Sequence, residues 1–561
     1  MRRSSLFLPT ERQPPADAEA LSHKLMVRAG LVRQLGSGLW SWLPAGWRVH
    51  QKVVQIIREE MDRIGGQELL LPVMHPRELW RRTGRDQIDE LFKLEDRKGT
   101  EMVLAMTHEE AVTFHVGAAV KSYRDLPKTL YHFQVKERDE ARPRAGILRT
   151  REFIMKDAYT FDRDEAGLDL QYEAHRGAYK RVYDRTSLEW FECQSDVGMM
   201  GGTVAHEYMA PCPAGEDDVV LAPGYAANLE VASADPQPVT LPDDAELTAV
   251  PTPGQSTIDA VATALGLPAG ALLKAYPVVV EDDGRLVLVV VRGDHRVNPV
   301  KLQNALRSAF RPAGAEEIAA QVGPAGFIGP HASVTDVPVL FDDAVGDGPY
   351  VVGANTADTH LRGFRPPADA ARADVRAVEA GDTIGGEAVR IVTAIEVGNI
   401  FKLGTRYSAP LDATYLDPDG KPQPIIMGSY GIGPARIAAA AVEQFADEKG
   451  ISWPAAIAPW TVNLVSLGKA GTPERAAADG LYDALRAAGV EVLYDDRDTG
   501  NGEKFAEAEL LGCPLRLSIG KRSLDSGRVE AQLRRGLTDV DGGIPLDGAV
   551  DAVLALIPTL A

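Results

Sequence analysis

Apolar positions recur at helical spacing through residues 46–64, where Val49, Val53, Ile56, Ile57 and Met61 share one face. Gly65-Gly66 ends that helix. A second helical period covers 17–34, and Trp40, Trp42 and Trp47 crowd the chain around the start of the long helix, where core packing or a subunit contact is expected. Residues 68–74 read as a strand. Pro72 within it removes a ladder donor, which predicts an edge or interface position. Further on, LYHFQVKER and LRTREFIMKDAYTF alternate on either side of a loop containing Pro143 and Gly146, so a long hairpin is predicted.

The pattern changes after Tyr225. Residues 234–257 are rich in proline and acid, as in a linker. Helix 257–265, strands 274–280 and 286–291 and helix 299–310 then form an α/β unit. Strand patterning returns with IVTAIEVGNIFKLG from Ile391, and GIGPAR (431–436) separates a strand-like run from an alanine-rich helix. After Pro459, strand 462–467, helix 473–488, strand 490–494, helix 503–511 and strand 515–519 alternate, which predicts a small sheet covered by crossover helices. Three regions result: 1–224 with 396–460, an inserted 225–395, and 461–561.

At 561 residues the chain exceeds a single core. Its 80 acidic and 60 basic side chains argue against a broad nonspecific nucleic-acid coat and leave room for a local basic track. Such a track exists at 136–151, KERDEARPRAGILRTR, with five arginines and a lysine against three acids. The apolar run of MRRSSLFLP ends at Pro9, which leaves no export-signal core, and no stretch approaches the ~20 apolar residues of a membrane span. A cytoplasmic protein without membrane attachment is expected. Cys193, Cys212 and Cys513 stand apart with no CxxC pair, so neither a disulfide scaffold nor structural zinc is predicted.

Guanidinium groups match phosphate oxygens bidentately and stay charged. Arg138 and Arg149, on two hairpin strands, can hold one phosphate chain. Arg436 falls in the first helical turn after Gly431 and Gly433, where backbone approach and the helix N-terminus favour an anion. The sixth position of GIGPAR is arginine, which counts against a dinucleotide fingerprint. A nucleotide-handling enzyme is the reading these residues support.

In this order the segments resemble the signature set of class II aminoacyl-tRNA synthetases, and in detail the bacterial-type prolyl-tRNA synthetases. Residues 46–72 are similar to motif 1, a dimer-interface helix and strand; Arg138-Asp139-Glu140 and 149–153 to motif 2; Gly431–Arg436 to motif 3; and Thr107-His108-Glu109 to the T-x-E element. The resemblance implies an α+β fold: an antiparallel-sheet catalytic domain, an inserted α/β editing domain and a C-terminal α/β anticodon-binding domain. It implies a homodimer acting on ATP with Mg²⁺, L-proline and tRNA(Pro). Arg138 would hold the α-phosphate, Arg149 and Arg436 the distal phosphates, and Glu140 the adenine, with Gly431 and Gly433 at the ATP site. Thr107, Glu109 and Ser429 would border proline, and alternation points His108 away from it. Arg142 and Arg144 would grip the tRNA acceptor end. In the insertion Lys274, Gly329 and His360, with Asp294-His295 beside them, would form a hydrolytic site for alanine. The need is physical, because a pocket rejects a smaller molecule by only about 1–3 kcal/mol per missing methylene. Asp495, Asp496, Arg497, Lys504 and Glu507 would meet the anticodon. Asn399, Lys402 and Ser429 depart from the pattern of relatives, which have G-H-I-F-Q-L-G around the first two and in several cases cysteine at the third. A threonine or glycine ligase, or a non-catalytic paralogue, is the alternative.

Overall fold

The computed structural model describes residues 1–244, 246–331 and 336–560. The chain divides into two compact units, Met1–Glu192 with Val197–Asp217 and Thr393–Ala561, and Cys193–Asp196 with Asp218–Val392. The first unit is left and re-entered at adjoining points, where the Cys212 N–H donates to the Thr393 carbonyl at 3.0 Å.

Six strands of the first unit form one sheet in the order Gln67–Glu68, Lys128–Glu137, Glu152–Asp162, Ile426–Ile432, Arg390–Gly404, Val204–Pro211. Every pairing after the first is antiparallel. One face carries the helices Pro44–Arg63, Glu165–Arg185 and Pro434–Phe445. Val49, Val53, Ile57 and Met61 meet Tyr179, Val182 and Tyr183 and the alanine face Ala438–Ala441 in a single core. Helix Glu109–Ala119 packs Val112 and Val116 with Phe161, Phe401 and Met427 in a second core.

Two expectations change here. The helical period at 17–34 yields only Leu21–Arg28, because Gly30 takes φ 69° and the Leu31 N–H reaches back to the Met26 carbonyl, closing the helix. Val32–Gly36 and Leu39–Trp42 then pair as a hairpin. The strand expected at 68–74 breaks into Gln67–Glu68 and Met74–Pro76, which join different sheets. Between them Pro72 offers no N–H, and its carbonyl accepts from His75 and His108 instead. Trp40 and Trp42 pack against the main core, whereas Trp47 stays 40% exposed.

The C-terminal part places Val462–Ser466 parallel to both Val492–Asp495 and Leu515–Ile519. Helices Pro473–Ala487 and Asn501–Leu511 make the crossovers.

In the second unit Leu273–Val280 pairs antiparallel with Leu286–Arg292, which runs parallel to Val339–Asp342. The presumed linker contributes a strand of its own. Thr248–Pro251 pairs with Thr359–Phe364, and the proline stands at the strand end, where its missing donor is tolerated. Among the described residues no helix is long and apolar enough to cross a membrane, and the three cysteines are buried with no disulfide between them.

Candidate active site

The two hairpin arms are in register from Lys128↔Phe161 to Glu137↔Glu152, so Arg138 and Arg149 emerge at the same end of the sheet. Strand Ile426–Ile432 pairs with the second arm and delivers helix Pro434–Phe445, with Arg436 in its first turn. Arg138, Arg149 and Arg436 consequently line one cleft of about 330 Å³. The distant helix start and the hairpin meet.

Their circumstances differ. Arg436 donates to the Glu396 backbone carbonyl at 2.9 Å and its carboxylate at 3.0 Å, and Asn399 Nδ2 holds the other Glu396 oxygen at 2.7 Å. Arg149 pairs with Glu140 at 2.8 Å and with Glu216 at 3.4 Å. Arg138 is enclosed by protein except where it opens on the cleft, lies 5.0 Å from the Phe153 ring, and its Nε finds no hydrogen-bond partner among the described residues. Burial, then the neighbouring Arg436 charge, lowers its pKa. Glu396 and Asp157 act on it only from a distance, and with no direct ion pair among the described residues it is a place for an anion. A Cβ at Gly431 would lie 2.7 Å from Asn399 Oδ1, so the end of that side chain would have to move; at Gly433 it would meet Arg436 only at an ordinary 3.6 Å.

Met106 lines the same cleft, and Thr107 and Glu109 follow it. Ser429 Oγ donates to Glu109 Oε1 at 2.9 Å, joining two of the three residues expected around the amino acid. A fourth was not legible. Arg85 reaches Thr107 Oγ1 at 2.8 Å, Glu109 at 3.3 Å and Glu110 at 3.1 Å, clamped between the Trp80 and Tyr407 rings. Arg85 sits in no periodic pattern, and only the fold brings it to Glu109. Two buried carboxylates facing one guanidinium leave excess negative charge. Burial, against the pull of Arg85 and with the push of Glu109, raises the Glu110 carboxyl. Thr107, Glu109 and Ser429 are buried behind Met106 and do not themselves line the cleft; a cation brought to them would relieve that excess.

At the hairpin tip Arg142 is exposed, and the exposed Arg144 binds Glu216 at 2.8 Å. Lys402, one of the departures from the relatives, bonds Asp169 at 2.5 Å over the Tyr172 ring and takes no part in lining the cleft.

In the second unit Lys274 and His360 line one cavity of about 120 Å³. Lys274 donates to the Gly293 carbonyl at 3.1 Å, and His360 Nδ1 lies 2.7 Å from Thr252 Oγ1; burial lowers the pKa of both. Gly353 lines the wall, where a Cβ would lie 2.3 Å from the Phe327 carbonyl oxygen. Gly329 is outside the lining and backs it: its own Cβ would strike the Gly353 carbonyl at 1.9 Å, and Asn355 bonds both its N–H and its carbonyl. Asp294 and His295 are not brought to the cavity; Asp294 pairs with Arg292 and stands 3.8 Å from His295 Nε2. Thr252 and Gly353 carried no signal readable without the fold.

In the C-terminal part the five expected residues gather near the start of helix Asn501–Leu511. Arg497 bonds Asp495 at 2.7 Å and Glu507 at 2.9 Å. Asp496 accepts from Ser4 at 2.7 Å, Glu507 accepts from Arg3 and Thr10, and Lys504 donates to the Ser466 carbonyl at 2.7 Å.

Comparison with known proteins agrees with this layout. Residues 252–366 match the aminoacyl-tRNA editing domain family and 461–556 the anticodon binding domain family. The proline–tRNA ligase of Thermodesulfovibrio yellowstonii is 44% identical, covering 95% of this chain and 96% of its own. That of Salinispora tropica is 42% identical over 100% of this chain and 97% of its own. The chain belongs to the proline–tRNA ligase family. The fold agrees with solved prolyl-tRNA synthetases. That of Giardia lamblia with prolyl-adenylate superposes with a TM-score of 0.60 at 14% identity, covering 96% of this chain and 78% of that one. That of Cryptosporidium parvum with halofuginone and AMPPNP gives 0.59 at 13% identity, covering 96% and 77%. Membership in the proline–tRNA ligase family sets aside the threonine and glycine readings.

Proposed function

We propose that this chain joins L-proline to tRNA(Pro) through a prolyl-adenylate made from ATP, and hydrolyses alanyl-tRNA(Pro) in its insertion. The observation that carries the proposal is Arg138, a guanidinium with no ion pair among the described residues and an unpartnered Nε, opening on the cleft it shares with Arg436. Arg138 takes the α-phosphate and Arg149 and Arg436 the distal phosphates, exchanging Glu140, Glu216 and Glu396 for phosphate oxygens. Glu140 then orients the adenine. Glu109 and Thr107 hold the secondary ammonium, leaving proline's carboxylate to attack the α-phosphorus and expel pyrophosphate. The nucleophile is already ionised, so no general base is needed, and the rate rests on alignment and charge neutralisation. Glu396 and Glu216 supply carboxylate oxygens suited to Mg²⁺, which when bound would neutralise charge on the triphosphate. Arg142 and Arg144 meet the acceptor end.

The domain limits proposed are 1–224 with 396–460, 225–395 and 461–561. A homodimer is supported by apolar surface along the long helix and the segment after it, with Trp47 40%, Leu70 73% and Met74 47% exposed. Light scattering should give twice the chain mass. The location is cytoplasmic. At the C-terminal cluster the half-buried Arg497 and Glu507 are the groups a guanine edge can reach, with Asp495 holding Arg497, while Asp496 and Lys504 are buried and turned to other partners.

Proline-dependent exchange of labelled pyrophosphate into ATP tests the synthetic reading, and exchange with threonine instead of proline would reject it. For editing, Gly353→Ala should slow hydrolysis of alanyl-tRNA(Pro) by at least about tenfold while leaving proline exchange intact. Equal deacylation by variant and parent would remove this cavity from the reaction.

A further inference from the structure

A buried cluster that the steps above do not use lies behind the pocket. Lys136 precedes Arg138 by two residues on the first hairpin arm and so shares its face, as does His132. Asp157 stands opposite His132 on the second arm. The Lys136 ammonium, wholly buried, lies 2.6 Å from Asp157 Oδ2 and 2.6 Å from His108 Nδ1, and His132 Nε2 is 3.0 Å from the same carboxylate oxygen. His108, His132 and Asp157 present ligand atoms close enough for a metal ion, yet the lysine nitrogen already lies within 3.3 Å of all three. The cation at this point is the chain's own.

Its consequence is a fixed imidazole. An ammonium only donates, so His108 Nδ1 must be bare and the ring proton must sit on Nε2. Nε2–H then donates to the Pro72 carbonyl at 3.0 Å, which also accepts from His75 Nε2 at 2.9 Å. Tyr159 donates to Asp157 Oδ2 at 2.7 Å and accepts the His108 backbone N–H at 3.1 Å. Three bonds therefore anchor His108, which caps helix Glu109–Ala119 between the two residues facing the amino acid. Burial, then Lys136, pushes the His108 pKa down to about 2, so the ring is neutral. Burial works against the Asp157 carboxylate, but Lys136 holds it well below its usual range.

Given the assignment of Thr107 and Glu109 to proline's amine, on which this rests, we propose that Lys136 is a positioning residue: with Asp157 it locks His108 and so sets Thr107 and Glu109 for the incoming ammonium. Lys136 touches no substrate. Removing it frees the ring to rotate and lets the first turn of the helix shift.

The test measures pyrophosphate exchange in the full-length protein. Lys136→Met and His108→Leu should each raise KM for proline about tenfold with KM for ATP changed less than about twofold. His108→Asn keeps an acceptor near the Nδ1 position and should recover most of the loss. The double variant Lys136→Met/His108→Leu should be no worse than the poorer single one, because both act through one contact. If Lys136→Met does not fold, the two His108 variants decide, since they leave the Lys136–Asp157 pair in place. Parallel rises in both KM values, or His108→Asn as impaired as His108→Leu, would overturn the proposal. Glu109→Gln separates the two levels. An unchanged KM for proline in that variant removes the pocket assignment itself, whereas a raised one with unaffected His108 variants removes only the role of Lys136.

Discussion

Arg138→Ala should lower the rate of proline-dependent pyrophosphate exchange by about 10²–10³-fold, the scale of losing one aligned donor to a developing anionic transition state. Of the three cleft arginines it is the one whose Nε lacks a partner, and it stands beside a second positive charge. Arg149 and Arg436 already hold carboxylates, which must be displaced before phosphate can bind, so part of their attraction is offset. Their alanine variants should lose less. Arg138→Lys should resemble Arg138→Ala, because a point charge on a shorter reach cannot reproduce a planar fork. The thermal midpoint gives the second half of the prediction. Burial and Arg436 both disfavour the Arg138 charge in the folded state, so removing it should leave the midpoint unchanged or raise it, despite the lost contact with Phe153. A midpoint that falls in step with activity would make Arg138 a structural residue.

The sequence exposed what depends on local period and spacing. The long helix was visible because Val49, Val53, Ile57 and Met61 must face one core, and the hairpin because both arms alternate around a proline–glycine loop. The meeting of Arg436 with Arg138 was legible only as chemistry, two phosphate-seeking elements with no other common cause. Boundaries failed where one residue outweighed a pattern: Gly30 closed a helix that periodicity extended, and Pro72 split a strand that hydrophobicity joined. Arg85 was invisible because its meaning is a contact more than twenty residues away, across a turn with no repeat. In the insertion Lys274 and His360 share a cavity, but Asp294 and His295 do not, since Arg292, the neighbour that claims Asp294, cannot be read as its partner from composition. The same holds in the C-terminal cluster, where charges that suit a ligand are first paired with one another and with residues near Arg3.

Glu109→Gln should reduce kcat/KM for proline by roughly 10²-fold, from the approximately 3 kcal/mol lost when one member of a buried charge pair is removed. Glutamine keeps an acceptor for Ser429 and nearly the same volume, so the pocket's shape survives. What changes is its charge. Arg85 retains Glu110, and the two then balance, leaving no negative excess for a secondary ammonium that gives up its water on entry. The loss should appear in KM for proline rather than for ATP. An uncharged ring analogue separates this from simple damage: tetrahydrofuran-2-carboxylate, with oxygen in place of the amine, should inhibit parent and variant to similar extents while proline binding weakens. A variant that loses both in proportion would mean that Glu109 holds the pocket's walls and not the amine. One that loses neither would move amine recognition to Glu110, the second carboxylate on Arg85.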